Sequence, residues 1–381
     1  VVDLARSAAC VWTLGIAACY PTPDPPWLVT RTEMIALRLE VTREGELSEP
    51  VAAAPPDRIR TEMLPGDTAR MRPFVVAPDQ VWDPDELDVA YFACFGTLCA
   101  GSLHEPAAEQ PCGERLDPAA PACTVGRGPN AEFVMPTEPL ELVSFGVPRI
   151  LGIAGTPGVS DTDACITAVR ARPFGDLSDC MLAEQAVAVG PSWVVQLLQS
   201  ELLEGSGTGG TSGSDDGTDG GTDDGTDDAT DDGTSGSDTD GSYTPPPEVY
   251  LQWPNFNPEV ERFTVVIKRG TAERILDAAP SDRLSVRAGD RILVVLAQDP
   301  RDSQAPAVLL EPDGTILRRF EQPLTRWYAT APLDERNAGS NAMNWVVPRG
   351  VPEFRIDALL DDGHGGIGWG SLHFEVDDTS G

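Results

Sequence analysis

Lysine is all but missing from this 381-residue chain: of 27 basic residues only Lys268 is not arginine, set against 61 Asp and Glu and a formal charge of −34. Phosphate backbones and anionic lipid surfaces require clustered basic side chains, so nucleic acid is excluded as a partner, and so is direct binding to an anionic membrane. The preference for Arg over Lys reads as a G+C-rich coding bias and carries no function. Long apolar runs are missing too. None reaches the length of a bilayer-spanning helix, which leaves attachment through the N-terminus or a partner. Histidine is scarce, with only His104, His364 and His373. There is no GxSxG elbow, no P-loop and no HExxH helix, so nucleophilic hydrolysis, phosphoryl transfer and zinc proteolysis lack their minimum parts. A glycosidase-type carboxylate pair stays open, because 61 acidic residues offer many pairs and sequence provides no distances.

What is present begins with the tract Gly205 to Ser242, which holds no basic residue and nothing larger than Thr or Asp. Such a tract has no apolar surface to offset the entropy of ordering, and its eleven Asp residues repel one another. It reads as a disordered linker between two domains, able to span about 34 Å on average and roughly 130 Å when stretched, so that the domains would move independently. Without those eleven Asp the formal charge is still −23, so the flanking parts are acidic as well. Its Thr-Asp-Asp units after Gly221, Gly225 and Ala229 invite a calcium reading. They lack the alternating ligands and bidentate Glu of an EF-hand and the apolar stacking residue of a β-roll, so no metal and no cofactor is expected.

Eight cysteines stand at positions 10, 19, 94, 99, 112, 123, 165 and 180. Residues 1–18 read as a signal peptide, with Arg6 as a thin basic start and Ala8 to Ala18 as an apolar core. Ile16-Ala17-Ala18-Cys19 resembles a bacterial lipobox, which implies lipidation of Cys19, and Tyr20-Pro-Thr-Pro-Asp-Pro-Pro26 looks like an extended tether. Six cysteines then remain: Cys94, Cys99, Cys112, Cys123, Cys165 and Cys180. Clustered and without repeated CxxC pairs, they suit disulfides in an oxidising compartment, with zinc at the first four plus His104 as the alternative. Connectivity among the first four is open. Cys165 and Cys180 fall on two expected helices, Ala164–Arg172 and Asp179–Val189, and would staple them as a helical hairpin.

Both flanking parts read as strands punctuated by turns. In the first these are Met34–Val41, Ala69–Val76, Leu87–Cys94, Asn130–Pro136 and Arg149–Ala154. In the second they are Phe263–Ile267, Arg291–Ala297, Ala307–Leu310, Thr325–Thr330, Asn344–Val347, Glu353–Leu360 and Gly368–Val376. Trp193 to Leu198 is a further strand or a helical piece. The fold class is mainly β, with two immunoglobulin-like sandwiches, the first carrying the helical hairpin. The boundaries are 1–18 for the signal peptide, 19–29 for the tether, 30–204 for the first sandwich, 205–247 for the linker and 248–377 for the second.

The halves also share words in one order. Leu64-Pro-Gly-Asp-Thr-Ala-Arg-Met71 answers Arg287-Ala-Gly-Asp-Arg-Ile-Leu-Val294. Leu87 to Cys94 answers Leu324 to Ala331, and Asn130 to Pro136 answers Asn341 to Pro348. This is one sandwich written twice.

Taken with Cys19, the segments Trp327-Tyr-Ala-Thr330, Trp345-Val-Val-Pro348 and Asp361-Asp-Gly-His-Gly-Gly366 resemble a group of secreted bacterial lipoproteins of myxobacterial type. Those carry tandem immunoglobulin-like or PKD-like modules. The resemblance implies architecture and an outer-membrane location and no activity. The expectation is therefore a monomeric envelope lipoprotein with a binding, adhesion or scaffold role toward protein or glycan, and no catalysis. The alternatives are a polysaccharide binder and an exported hydrolase of unrecognised type. Trp327 and Trp345 fit sandwich core, whereas Trp253 and Trp369 flank loops and are the residues to stack on sugar. Asp362-Gly363 is expected to close a hairpin, with His364 facing water.

Overall fold

The computed structural model describes residues 27–48, 51, 57–94, 99–104, 106–113, 122–137, 148–191, 254–298, 306–310, 316–320, 323–332 and 341–377. Cys19, Trp253, the run from Trp193 to Leu198 and the tract 205–242 lie outside them.

The first sandwich is built from β1 (Glu33–Arg43), β2 (Thr68–Val76), β3 (Ala90–Cys94), β4 (Ala122–Arg127), β5 (Glu132–Val134), β6 (Arg149–Gly155) and β7 (Cys180–Ala186). One sheet runs β1-β2-β5 and the other β4-β3-β6-β7. Alternation positions the side chains. On β1 and β2, Leu37, Leu39, Ala69, Met71 and Val75 point into a core shared with Tyr91, Phe133, Ile150 and Met181. The other face of β3 and β6 is also buried: Phe92, Leu151 and Ile153 pack with Cys165 and Val169 of a helix at Thr162–Arg170. Asp161 caps that helix, accepting from the Ala164 amide at 2.7 Å.

The second sandwich comprises β8 (Val260–Arg269), β9 (Ala272–Ala278), β10 (Arg283–Arg287), β11 (Arg291–Gln298), β12 (Pro306–Leu310), β13 (Ile316–Phe320), β14 (Leu324–Ala329), β15 (Ala342–Val346), β16 (Glu353–Asp361) and β17 (Ile367–Asp377). Its sheets run β15-β11-β8-β9 and β10-β17-β16-β14, and β12 with β13 forms a separate hairpin. The core is aromatic. Trp345 meets Phe354 and Phe374 edge-on, with centroids 6.4 and 5.9 Å away, and those two rings stack at 4.8 Å.

The two sandwiches are the same fold. The order β1-β2-β5 repeats as β8-β11-β15, and β3-β6-β7 repeats as β14-β16-β17, every pair antiparallel. Their shared Gly-Asp turns are closed by the same bonds. Gly66 (φ 87) and Gly289 (φ 85) take a left-handed conformation that side chains resist. Asp67 and Asp290 accept from the amides three residues back, Leu64 and Arg287, at 2.7 and 2.9 Å. The Gly66 amide donates to the Met135 carbonyl and the Gly289 amide to the Val347 carbonyl, at 2.9 and 3.0 Å.

One element departs from expectation. Asp179–Val189 holds no helix; Cys180–Ala186 is the strand β7, paired along its length with β6. Met181-Leu-Ala-Glu-Gln-Ala favours helix by propensity, but the open edge of β6 satisfies its backbone and buries Met181, and tertiary context wins. The Cys165–Cys180 bridge therefore ties a helix to a sheet edge and not to a second helix.

Candidate functional site at the junction of the two sandwiches

β2 and β16 are each buried on both faces, and there the sandwiches meet. On β16, Phe354, Ile356, Ala358 and Leu360 face their own core, while Leu359 turns outward. On β2, Phe74 and Val76 likewise point away from theirs. A fourth apolar cluster results, with Val29, Ala36, Phe74 and Val76 from the first sandwich against Leu359 and Ile367 from the second, and Tyr328 and Trp369 packed beside it.

The chain also crosses over at both edges. Trp27–Val29, which leads directly into β1, lies alongside β14 of the second sandwich: the Val29 amide donates to the Ala329 carbonyl at 2.9 Å and the Ala329 amide to the Trp27 carbonyl at 3.0 Å. Trp27 is buried in the second core. In return Asn255–Asn257, leading into β8, pairs with 59–61 of the first sandwich through Thr61 N to Asn255 O and Asn257 N to Ile59 O, both 3.0 Å. Each sandwich thus covers an exposed sheet edge with a segment of the other. The part of the tether at Trp27–Val29 is structural, and the expected independent motion of two modules gives way to a docked pair.

Polar groups complete the seam. Asn257, itself buried, donates to the Leu39 carbonyl at 2.7 Å and accepts from the Ile367 amide at 3.0 Å. Arg355 is buried against Asp357, which also accepts from Ser371 at 2.6 Å, and its guanidinium reaches the Ala77 carbonyl of the first sandwich at 2.8 Å. Such a pair earns its place by the hydrogen bonds around it, since burying two charges costs about as much as their attraction returns. The Asn255 backbone amide donates to Glu62 Oε2 at 2.9 Å and its side-chain amide to Asp362 Oδ2 at 2.8 Å. Burial pushes the Glu62 carboxyl up to about 7 against the pull of the Asn255 amide and Arg60, and raises Asp362 as well.

The residues singled out in the sequence fall as follows. Trp369 is half-buried at the seam, stacked on Phe74 at 4.9 Å with the Arg38 guanidinium 4.5 Å over its ring, so it offers no open face to a sugar. The cysteines pair as Cys94–Cys99, Cys112–Cys123 and Cys165–Cys180. That removes the zinc alternative; His104 contacts the Gly101 carbonyl at 2.7 Å and the Arg172 guanidinium. Among the described residues no three His, Cys, Asp or Glu side chains group to hold a metal, and no helix is long and apolar enough to cross a membrane. Asp362 does close the β16–β17 hairpin, accepting from the His364 and Gly366 amides at 2.7 and 2.9 Å, but His364 is half-buried and does not simply face water.

Sequence reasoning missed Glu62, Asn255, Asn257 and Arg355. One signal was available: Phe74-Val-Val76 and Ala358-Leu-Leu360 are apolar without alternation, as strands covered on both faces are. No family model, no curated protein and no solved structure matches the chain.

Proposed function

We propose that this is an exported lipoprotein of the cell envelope, anchored through Cys19 to the outer membrane, whose two sandwiches act together as one binding or scaffold body without catalysis. The observation that carries the reading is the fate of the buried polar groups. Asp67, Asp357, Asp362, Arg355 and Asn257 are each engaged in holding a turn or the seam, and both Asp362 oxygens are occupied by protein amides. Three disulfides support export to an oxidising compartment. Glycan stacking through Trp369 would require breaking its contact with Phe74. The partner is protein or glycan of the envelope.

Fatty-acid labelling with membrane fractionation tests the anchor: the wild type should be labelled and sediment with outer membrane, and Cys19→Ala should be neither. A wild type that is unlabelled and soluble contradicts it. Crosslinking in intact envelopes, followed by mass spectrometry, should give one recurrent partner joined to described surface residues. Crosslinks scattered over many unrelated proteins contradict the scaffold role.

A further inference from the structure

Two carboxyl groups, one from each sandwich, meet a single asparagine at the seam, and this arrangement has chemistry beyond mechanical docking. Glu62 continues the segment 59–61 that pairs with Asn255–Asn257. Its Oε1 presses on Gly190 so closely that a Cβ there would lie 2.5 Å away. Asp362 closes the opposite hairpin, whose Gly365 carbonyl accepts from Thr61 Oγ1 at 3.1 Å. A Cβ on Gly365 would sit 2.6 Å from that of Ala188, so the hairpin packs directly against the first sandwich beside the carboxyls, with Asp362 buried and Glu62 half-buried. We propose that this pair is a pH-gated latch: acid keeps the two sandwiches docked, and deprotonation of Glu62 and Asp362 as the pH rises loosens them.

The charges around Glu62 do not cancel this. Arg60 is the nearest cation, but its guanidinium is committed to buried Asp67 at 2.9 Å, with Glu44 at 3.7 Å as a further partner. Arg58 pairs with Glu259 at 3.9 Å. From the hairpin come Asp362 and His364, while neighbouring Asp361 pairs with Arg326 at 3.2 Å. Ala188–Gly190 brings no ionisable group. Asn255 bridges the two carboxyls, its backbone amide on Glu62 and its side-chain amide on Asp362, and two negative charges held on one residue repel.

Burial raises the docked Glu62 carboxyl from its ordinary 4.5 to about 7, and Asp362 moves the same way. The docked form therefore binds more protons than the open form between those values. Docking is strongest below about pH 4.5 and weakens as pH rises through about 7.

The test uses full-length protein with a protease site inserted in the linker, cut after purification, and reads the dissociation constant between the two halves. From pH 5.5 to 8 it should rise on the order of thirtyfold, and Glu62→Gln, which keeps the shape and the acceptor, should remove most of that rise. Titration calorimetry of the wild-type halves at pH 6 in buffers of different ionisation enthalpy should show uptake of about one proton on docking. The latch is overturned by an affinity that is constant or grows with pH, by a full rise in Glu62→Gln, or by no proton uptake.

Discussion

The first sandwich holds its inserts with three disulfides, while the second contains no cysteine and closes its core with three aromatic rings, Trp345, Phe354 and Phe374. One topology is thus held in two ways. The cause lies in what each copy carries between equivalent strands. Between β6 and β7 the first copy inserts a helix that packs on the outside of its sheet, and the Cys165–Cys180 bridge pins it. At the same position the second copy has the tight turn Asp362–Gly366, which needs no pin because it is docked against the first copy. The inserted layer buries little for its length, and covalent bridges offset the shortfall.

Reduction should break that contrast most strongly. With a thiol reductant, hydrogen exchange in Thr162–Arg170 and β4 should accelerate by orders of magnitude while β8, β11, β16 and β17 keep their protection. Replacing Cys165 and Cys180 together by Ala should cost about 3 kcal/mol in denaturant unfolding, as expected for a loop of this length. Equal loss of protection in both halves would mean that the bridges are not what distinguishes them. The reciprocal change is Trp345→Ala, which should cost about 3–5 kcal/mol and open the second core first.

A smaller and more discriminating pair lies in the matched turns. Asp67 accepts from Gly45 N, Ser48 Oγ and Leu64 N and pairs with buried Arg60, whereas Asp290 pairs with an Arg269 that is half-exposed. Asp67→Ala strands a buried guanidinium and should cost about 3 kcal/mol or more, and Asp290→Ala about 1 kcal/mol. The Asp290 carboxyl is held below its ordinary 3.8 chiefly by the Arg269 hydrogen bond. Its contribution is therefore complete above about pH 4 and is lost as pH falls through the lowered value. The smallest effects are Gly66→Ala and Gly289→Ala, each about 1 kcal/mol from the left-handed backbone alone, and calorimetry should find them similar.

What could be read in advance follows the range of the interactions. The Gly-Asp turns at Leu64–Asp67 and Arg287–Asp290 are made within four residues, so their shared chemistry shows in the sequence and reveals the duplication. The disulfide candidates were also visible as clustered cysteines, although their connectivity within Cys94–Cys123 was not. Strand β7 was misread because its helix-forming residues are overruled by an edge far away in the chain. β9, with Ala272-Glu-Arg-Ile-Leu-Asp-Ala278, lacks alternation because it is an exposed edge with Ile275 in solvent. The seam was hidden for the same reason: Asn257 bonds Leu39 and Arg355 bonds Ala77 across more than two hundred residues. No local pattern encodes such a pair. Only the non-alternating apolar residues of Phe74–Val76 on β2 and Ala358–Leu360 on β16 hinted that their outer faces were covered.

The central claim is that the two copies form one docked body through exchanged edge segments. Small-angle scattering of the full chain at pH 6, with the linker intact and with residues 215–232 deleted, tests it directly. A single-peaked distance distribution whose maximum dimension does not change on deletion is the predicted result. Two resolved peaks whose separation shrinks with the linker would contradict it.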